Sequence, residues 1–176
     1  MKKVGFVAHG PASANSLLPI IERLKDKVDV RLYAYHPYVS NYWNCPLLEG
    51  KEYPQDFQTL DMVLYGTGSG HEIELNVPVE AKRWGIPSIS ILDCYWASDK
   101  NLIKRFYHEP TYLIVPNAEC KKRLENLLAM PKERILSIGN PHFDRLKPLK
   151  EQVMPPKYPL NIAFFSQCQN SSDYSD

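Results

Sequence analysis

No apolar run in this sequence approaches the ~20 residues that span a bilayer, so any membrane contact is expected to be peripheral, at the inner face. The four cysteines, Cys45, Cys94, Cys120 and Cys168, have no Cys-x-x-Cys spacing, and Val4 to Ala8 is too short for the apolar core of a signal peptide. They read as reduced thiols in a cytoplasmic protein. Charge of one sign is not in excess: the net charge of +1 calls for no nucleic acid and no acidic partner. The basic run Lys121-Lys122-Arg123 falls on a predicted helix with an apolar opposite face, as a solvated face does. The five histidines, His9, His36, His71, His108 and His142, lack metal-site spacing, although His71-Glu72 with Asp93 could supply ligands. There is no Gly-x-Gly-x-x-Gly fingerprint and no internal repeat.

What is present is organised around residues 61–93. Met62 to Tyr65 and Ile86 to Leu92 are short, branched and apolar, as strands buried on both faces of a parallel sheet are. Between them Ile73, Val77, Ala81 and Trp84 recur at helical spacing, and Gly85 ends that helix. Gly66, Gly68 and Gly70 separate the first strand from the helix. Their amides can face an anion at a helix N-terminus, or they form a tight turn of positive φ that binds nothing. Thr67, Ser69, His71, Glu72 and Glu74 crowd polar chemistry at the same strand end, where open α/β sheets bind ligands.

Before this unit, Lys3 to Ala8 reads as a first strand running into the loop His9 to Ser16. Ser16 is the expected helix cap, with Pro19 in the first turn and Leu17, Ile20, Ile21 and Leu24 on the buried face. A second strand, Val28 to Tyr35, ends in Tyr35-His36, where a nicotinamide enzyme would place an acid for the ribose. A dinucleotide oxidoreductase is thereby excluded. Pro37 to Leu60 is a long aromatic connection with one short helix, in which Tyr42 and Trp43 either stack on a sugar ring or cap the core.

After it, Asp93 ends a strand as base or hydrogen-bond acceptor, or caps the next helical turn, and Cys94 to Asp99 with Trp96 forms a loop at the same edge. Tyr112 to Val115 is a strand, Asn117 caps a helix carrying Cys120, Leu124, Leu127 and Leu128, and Arg134 to Ile138 is a further strand closed by Gly139-Asn140-Pro141. The expected division is a Rossmann-like domain over residues 1–146, a proline-rich linker over 147–159, and a last segment over 160–176 with one strand, Leu160 to Ser166. That segment begins a second domain or supplies the last strand of the first sheet.

Ala8-His9-Gly10, Gly66-Thr67-Gly68-Ser69 with Glu72, Ala81 to Ile89 with Asp93, and Gly139-Asn140-Pro141-His142-Phe143-Asp144 together resemble the N-terminal half of a GT-B-fold glycosyltransferase. More loosely the order is similar to sugar-nucleotide epimerases and polyol-phosphate transferases of that architecture. The resemblance implies an open parallel sheet with helices on both faces that holds the acceptor in glycan or surface-polysaccharide synthesis. The nucleotide-sugar donor would lie on a second domain, and the half alone would be inactive. It implies His9 as the base that deprotonates an acceptor hydroxyl, with Glu72 and Asp93 as alternatives. Gly10, Ser13, Gly66, Thr67, Gly68, Ser69, Gly70, His71 and Trp96 would bind substrate, with no cofactor and no catalytic metal. The alternatives are a stand-alone flavodoxin-like ligand-binding or interaction module and the half of a sugar-nucleotide epimerase. Association of copies through Ala163-Phe164-Phe165 is a further expectation.

Overall fold

Six short apolar segments pair into a single parallel sheet in a computed structural model of the chain, which describes residues 1–67, 71–93 and 99–145. The strands are β1 (Lys3–Ala8), β2 (Asp29–Ala34), β3 (Met62–Gly66), β4 (Ser88–Ile91), β5 (Tyr112–Val115) and β6 (Ile135–Ser137). Their order is β2-β1-β3-β4-β5-β6, with every neighbouring pair parallel. Parallel neighbours need crossover connections. These carry α1 (Pro11–Leu24), α2 (Pro37–Trp43), α3 (Glu72–Arg83), α4 (Asp99–Arg105) and α5 (Ala118–Leu127), with 3-10 turns at Gln55–Thr59 and Lys132–Arg134. A parallel bridge from Ala34 to Leu47 adds one more position outside β2. Chain order therefore reverses direction across the sheet at β1, and the crevice between the carboxyl ends of β1 and β3 is the topological switch point.

The alternation of side chains along each strand divides the core into two layers. Val4, Phe6 and Ala8 of β1, Leu64, Ile91 and Ile114 lie under α1 and α2 with Leu17, Ile21, Val39 and Trp43. Val7, Val63 and Tyr65 face the other way, against Phe57 and Leu60 and the Ile73, Val77 and Ala81 stripe of α3. Leu113, Val115 and Ile135 on that second face pack with Leu102 of α4 and Cys120 and Leu124 of α5. This is the expected Rossmann-like open sheet with helices on both faces. No helix of the described residues is long and apolar enough to cross a membrane.

Local signals account for most element ends. Asn117 Oδ1 accepts the Cys120 N–H at 2.8 Å, capping α5. Gly85, at φ 69°, follows α3, and the Ile86 and Gly85 amides donate to Ala81 and Lys82 at 2.8 and 3.2 Å. That pair of bonds is a Schellman closure, which only a residue comfortable at positive φ completes cheaply. Gly139, at φ 93°, likewise turns the chain after β6.

One expectation is corrected and one open alternative is decided. α1 starts at Pro11 on a Gly10 cap; Ser16 is buried inside it and Pro19 is an interior residue. Pro11 takes the first helical position, where a missing N–H costs nothing. The interior proline is tolerated because α1 buries Pro19 together with Ala14, Leu17 and Ile21, and tertiary packing outweighs helix propensity. Of the two readings of Trp43 the core one holds: it is 6% exposed, and its indole N–H donates to the Ala14 carbonyl at 3.3 Å. The expected strand Leu160 to Ser166 and linker 147–159 lie outside the described residues.

Candidate functional site at the carboxyl edge of the sheet

The expected site residues that are described gather where the strands end. Along the edge run His36 after β2, His9 after β1, Thr67 after β3, Asp93 after β4 and Asn140 beyond β6. Gly68, Ser69, Gly70 and Trp96 lie outside the described residues. The edge holds two groups of side chains, one of histidines and one built on Thr67 and Asp93.

The histidines come from three elements. The His9 and His71 rings are parallel, 3.7 Å between centroids, and His36 meets His9 edge-on at 5.5 Å. His71 stands ahead of α3 and its Nδ1 accepts the Ile73 N–H at 3.4 Å; His36 Nδ1 does the same for Tyr38 at 3.1 Å ahead of α2. A ring that accepts at Nδ1 carries its neutral-state proton on Nε2, so these caps fix two of the tautomers. Burial, and then the neighbouring His71 and His36, hold the His9 imidazole below its ordinary pKa. At neutral pH His9 is uncharged, the form that can take a proton.

The connection before β3 folds over this group. Tyr35 donates its hydroxyl to the Glu52 carbonyl at 2.9 Å, and the Tyr53 hydroxyl donates to the Ile73 carbonyl. A cavity of about 410 Å³ remains, lined by His9, Tyr35, Pro37, Gly50, Lys51 and His71 among others. Lys51 reaches from this connection to Glu72, 2.5 Å from its carboxylate. Hydrogen bonding and charge from Lys51 hold the Glu72 carboxyl below its usual range. Glu72, an expected candidate base, is thus an exposed, paired and weakly basic carboxylate.

The carboxylate that meets His9 is Glu74. It is 1% exposed, and its Oε1 accepts the His9 backbone N–H at 2.9 Å. The sequence held one signal for it: residues 74, 78 and 81 share the stripe that α3 turns toward the sheet.

In the second group Thr67 Oγ1 lies 3.2 Å from Asp93 Oδ1 and 3.4 Å from the Ile91 carbonyl oxygen. The Asn140 amide donates to the Asp93 carbonyl at 3.5 Å, and Asn140 Oδ1 accepts the His142 N–H at 3.0 Å. The ends of β3, β4 and β6 are thereby tied through Asp93. Gly66 has a third role: a Cβ there would lie 2.3 to 2.5 Å from Ser13 Cβ, Oγ and Cα. Its φ is not among the positive ones. Bareness at Gly66 lets the first turn of α1 rest on β3, which sets the floor of the crevice. Among the described residues no group of three or more His, Cys, Asp or Glu side chains could hold a metal ion.

No family model and no curated protein matches the sequence. Solved structures do. The UDP-N-acetylglucosamine 2-epimerase of Rickettsia bellii superposes with a TM-score of 0.63 at 13% identity, over 87% of this chain and 49% of that one. MnaA of S. aureus, solved with UDP, gives 0.58 at 12% identity over 84% and 46%. The UDP-GlcNAc 2-epimerase of Neisseria meningitidis, bound to UDP-GlcNAc, gives 0.57 at 16% over 85% and 50%. At these identities the likeness is one of fold, and the chain spans about half the length of each structure it matches.

Proposed function

We propose that this chain is the N-terminal half of a sugar-nucleotide enzyme of GT-B-like architecture, and that the enzyme is of the UDP-N-acetylhexosamine epimerase class rather than a glycosyltransferase. The observation that carries the reading is the His9–His71 stack at the β1/β3 switch point, with Asp93 on Thr67 at the neighbouring strand ends. It is supported by a fold shared with UDP-sugar proteins of about twice the length. Inversion of a hydrogen-bearing carbon by proton exchange calls for removal of a proton from one face and return of one to the opposite face. His9 is the candidate for the first role and Asp93 for the second. Gly10, Gly66, Thr67 and His71 would bound the sugar, with Ser13 buried beneath Gly66, and the nucleotide would be held mainly by the other half.

The test is titration of the chain with UDP-GlcNAc and with UDP, following the imidazole C–H resonances of His9 and His71. The sugar nucleotide should shift both saturably, and UDP alone should shift them less. Both rings unmoved at millimolar UDP-GlcNAc would refute the reading. Incubation of the chain joined to a second half in heavy water then separates the reactions: epimerisation places deuterium at the inverted carbon, whereas glycosyl transfer leaves the sugar carbons unlabelled.

A further inference from the structure

Glu74 occupies a position that the helix pattern gives to an apolar residue. It is fully buried on the sheet-facing side of α3, next to Ile73 and Val77. A carboxylate removed from water is costly unless donors replace the water it loses. The first turn of α3 supplies the positive end of a helix dipole. The chain supplies a charge-assisted bond from the His9 N–H at 2.9 Å. That amide lies one residue beyond β1, whose final ladder contact has the Tyr35 N–H donating to the Ala8 carbonyl. Glu74 thus takes over the backbone where the sheet stops pairing it.

The same stretch is held a second time through its side chain, because the His9 ring stacks on His71, the residue that caps α3. Two contacts to the start of one helix, one by backbone and one by ring, fix both the position and the orientation of the imidazole. We infer that Glu74 is a positioning residue: it anchors the turn between β1 and α1 so that His9 is presented from the switch point with its ring parallel to His71. Its consequence for ligand binding rests on the function proposed above, whereas the anchoring does not.

The experiment uses the isotopically labelled 176-residue chain with Glu74→Ala and Glu74→Gln. In Glu74→Ala the His9 amide should exchange about tenfold faster or more, as loss of a charge-assisted bond requires. Cross-relaxation between the His9 and His71 rings should disappear, while Phe6 and Leu64 in the strands stay protected. In Glu74→Gln an acceptor remains, so the rings stay in contact and amide exchange rises less. Among the described residues the ionisable groups around His9 are His36 ahead of α2, His71 and Glu74 at α3, and Tyr35, Glu49 and Lys51 on the same cavity. Unchanged ring contacts and His9 exchange in Glu74→Ala would overturn the inference. If that variant does not fold, wild-type exchange of the His9 amide in Glu74→Gln overturns it alone. UDP-GlcNAc should bind more weakly to Glu74→Ala than to the wild type. Failure of the wild type to bind would strike the proposed function and leave the ligand-free readouts to decide the anchoring.

Discussion

Replacing Gly66 with alanine tests the packing that shapes the crevice. The added methyl would sit 2.5 Å from Ser13 Cα and closer still to Cβ and Oγ, about 1 Å short of ordinary contact. The obstacle includes backbone of α1, so rotation of the serine side chain cannot clear it. Overpacking of this kind costs about 1–3 kcal/mol. Alanine also relieves the glycine penalty of roughly 0.5–1 kcal/mol in a strand, so steric cost and propensity oppose each other. The steric term is larger here because α1 must translate, and the net loss should be about 1–2 kcal/mol. Urea unfolding monitored by far-UV dichroism and tryptophan fluorescence gives the number, and Trp43, bonded to Ala14 on α1, reports locally on the displaced helix. Ser13→Gly should rescue Gly66→Ala only in part, since Ser13 Cα remains in the way. A Gly66→Ala protein as stable as the wild type would refute the close-approach account.

The same geometry sets two further outcomes. His9 has a lower pKa folded than unfolded, so the unfolded chain binds more protons below about pH 6.5. Stability should therefore fall as the pH drops from about 6.5 toward the folded pKa and level off below it, and urea midpoints for His9→Gln should show a shallower fall over that window. Trp43→Ala should cost about 3–5 kcal/mol as a buried aromatic while leaving UDP-GlcNAc affinity per folded molecule unchanged; selective loss of affinity with intact stability would restore the stacking role.

Within residues 61–93 the strand, the Ile73, Val77 and Ala81 stripe and Gly85 were legible because they agree with one another, as do Asn117 with α5 and Gly139 with β6, whereas Trp84, read onto the same stripe, caps α3 and is 45% exposed. The start of α1 was not legible, because two prolines each fit a first turn and only burial of Ser13, Ser16 and Pro19 decides between them. Trp43 was ambiguous for a related reason: an aromatic in a long connection packs inward or outward according to partners far along the chain, here Ala14. The location of the candidate site was readable from strand ends, but its partnerships were not. Glu72 and Glu74 are alike in sequence, and two positions along the helix, about half a turn, send the first to Lys51 in solvent and the second beneath His9. The reason for Gly66 also needed the fold, since the atoms it makes room for belong to a helix some fifty residues earlier.

The central position of β1 has a consequence for how the protein is made. Val4 pairs with Val30 on one side and with Met62 on the other, and the His9–Glu74 bond joins residues 65 apart. A chain emerging from the ribosome N-terminus first can close β1 against β2 early, but β1's other edge stays open until β3 has appeared. The backbone bond to Glu74 and the ring stack on His71 wait for α3. The His9–His71 arrangement at the carboxyl edge is thus among the later things to form, well after the strand that bears it, and the open side of β1 during that interval is where a synthesis-time chaperone would have most to protect.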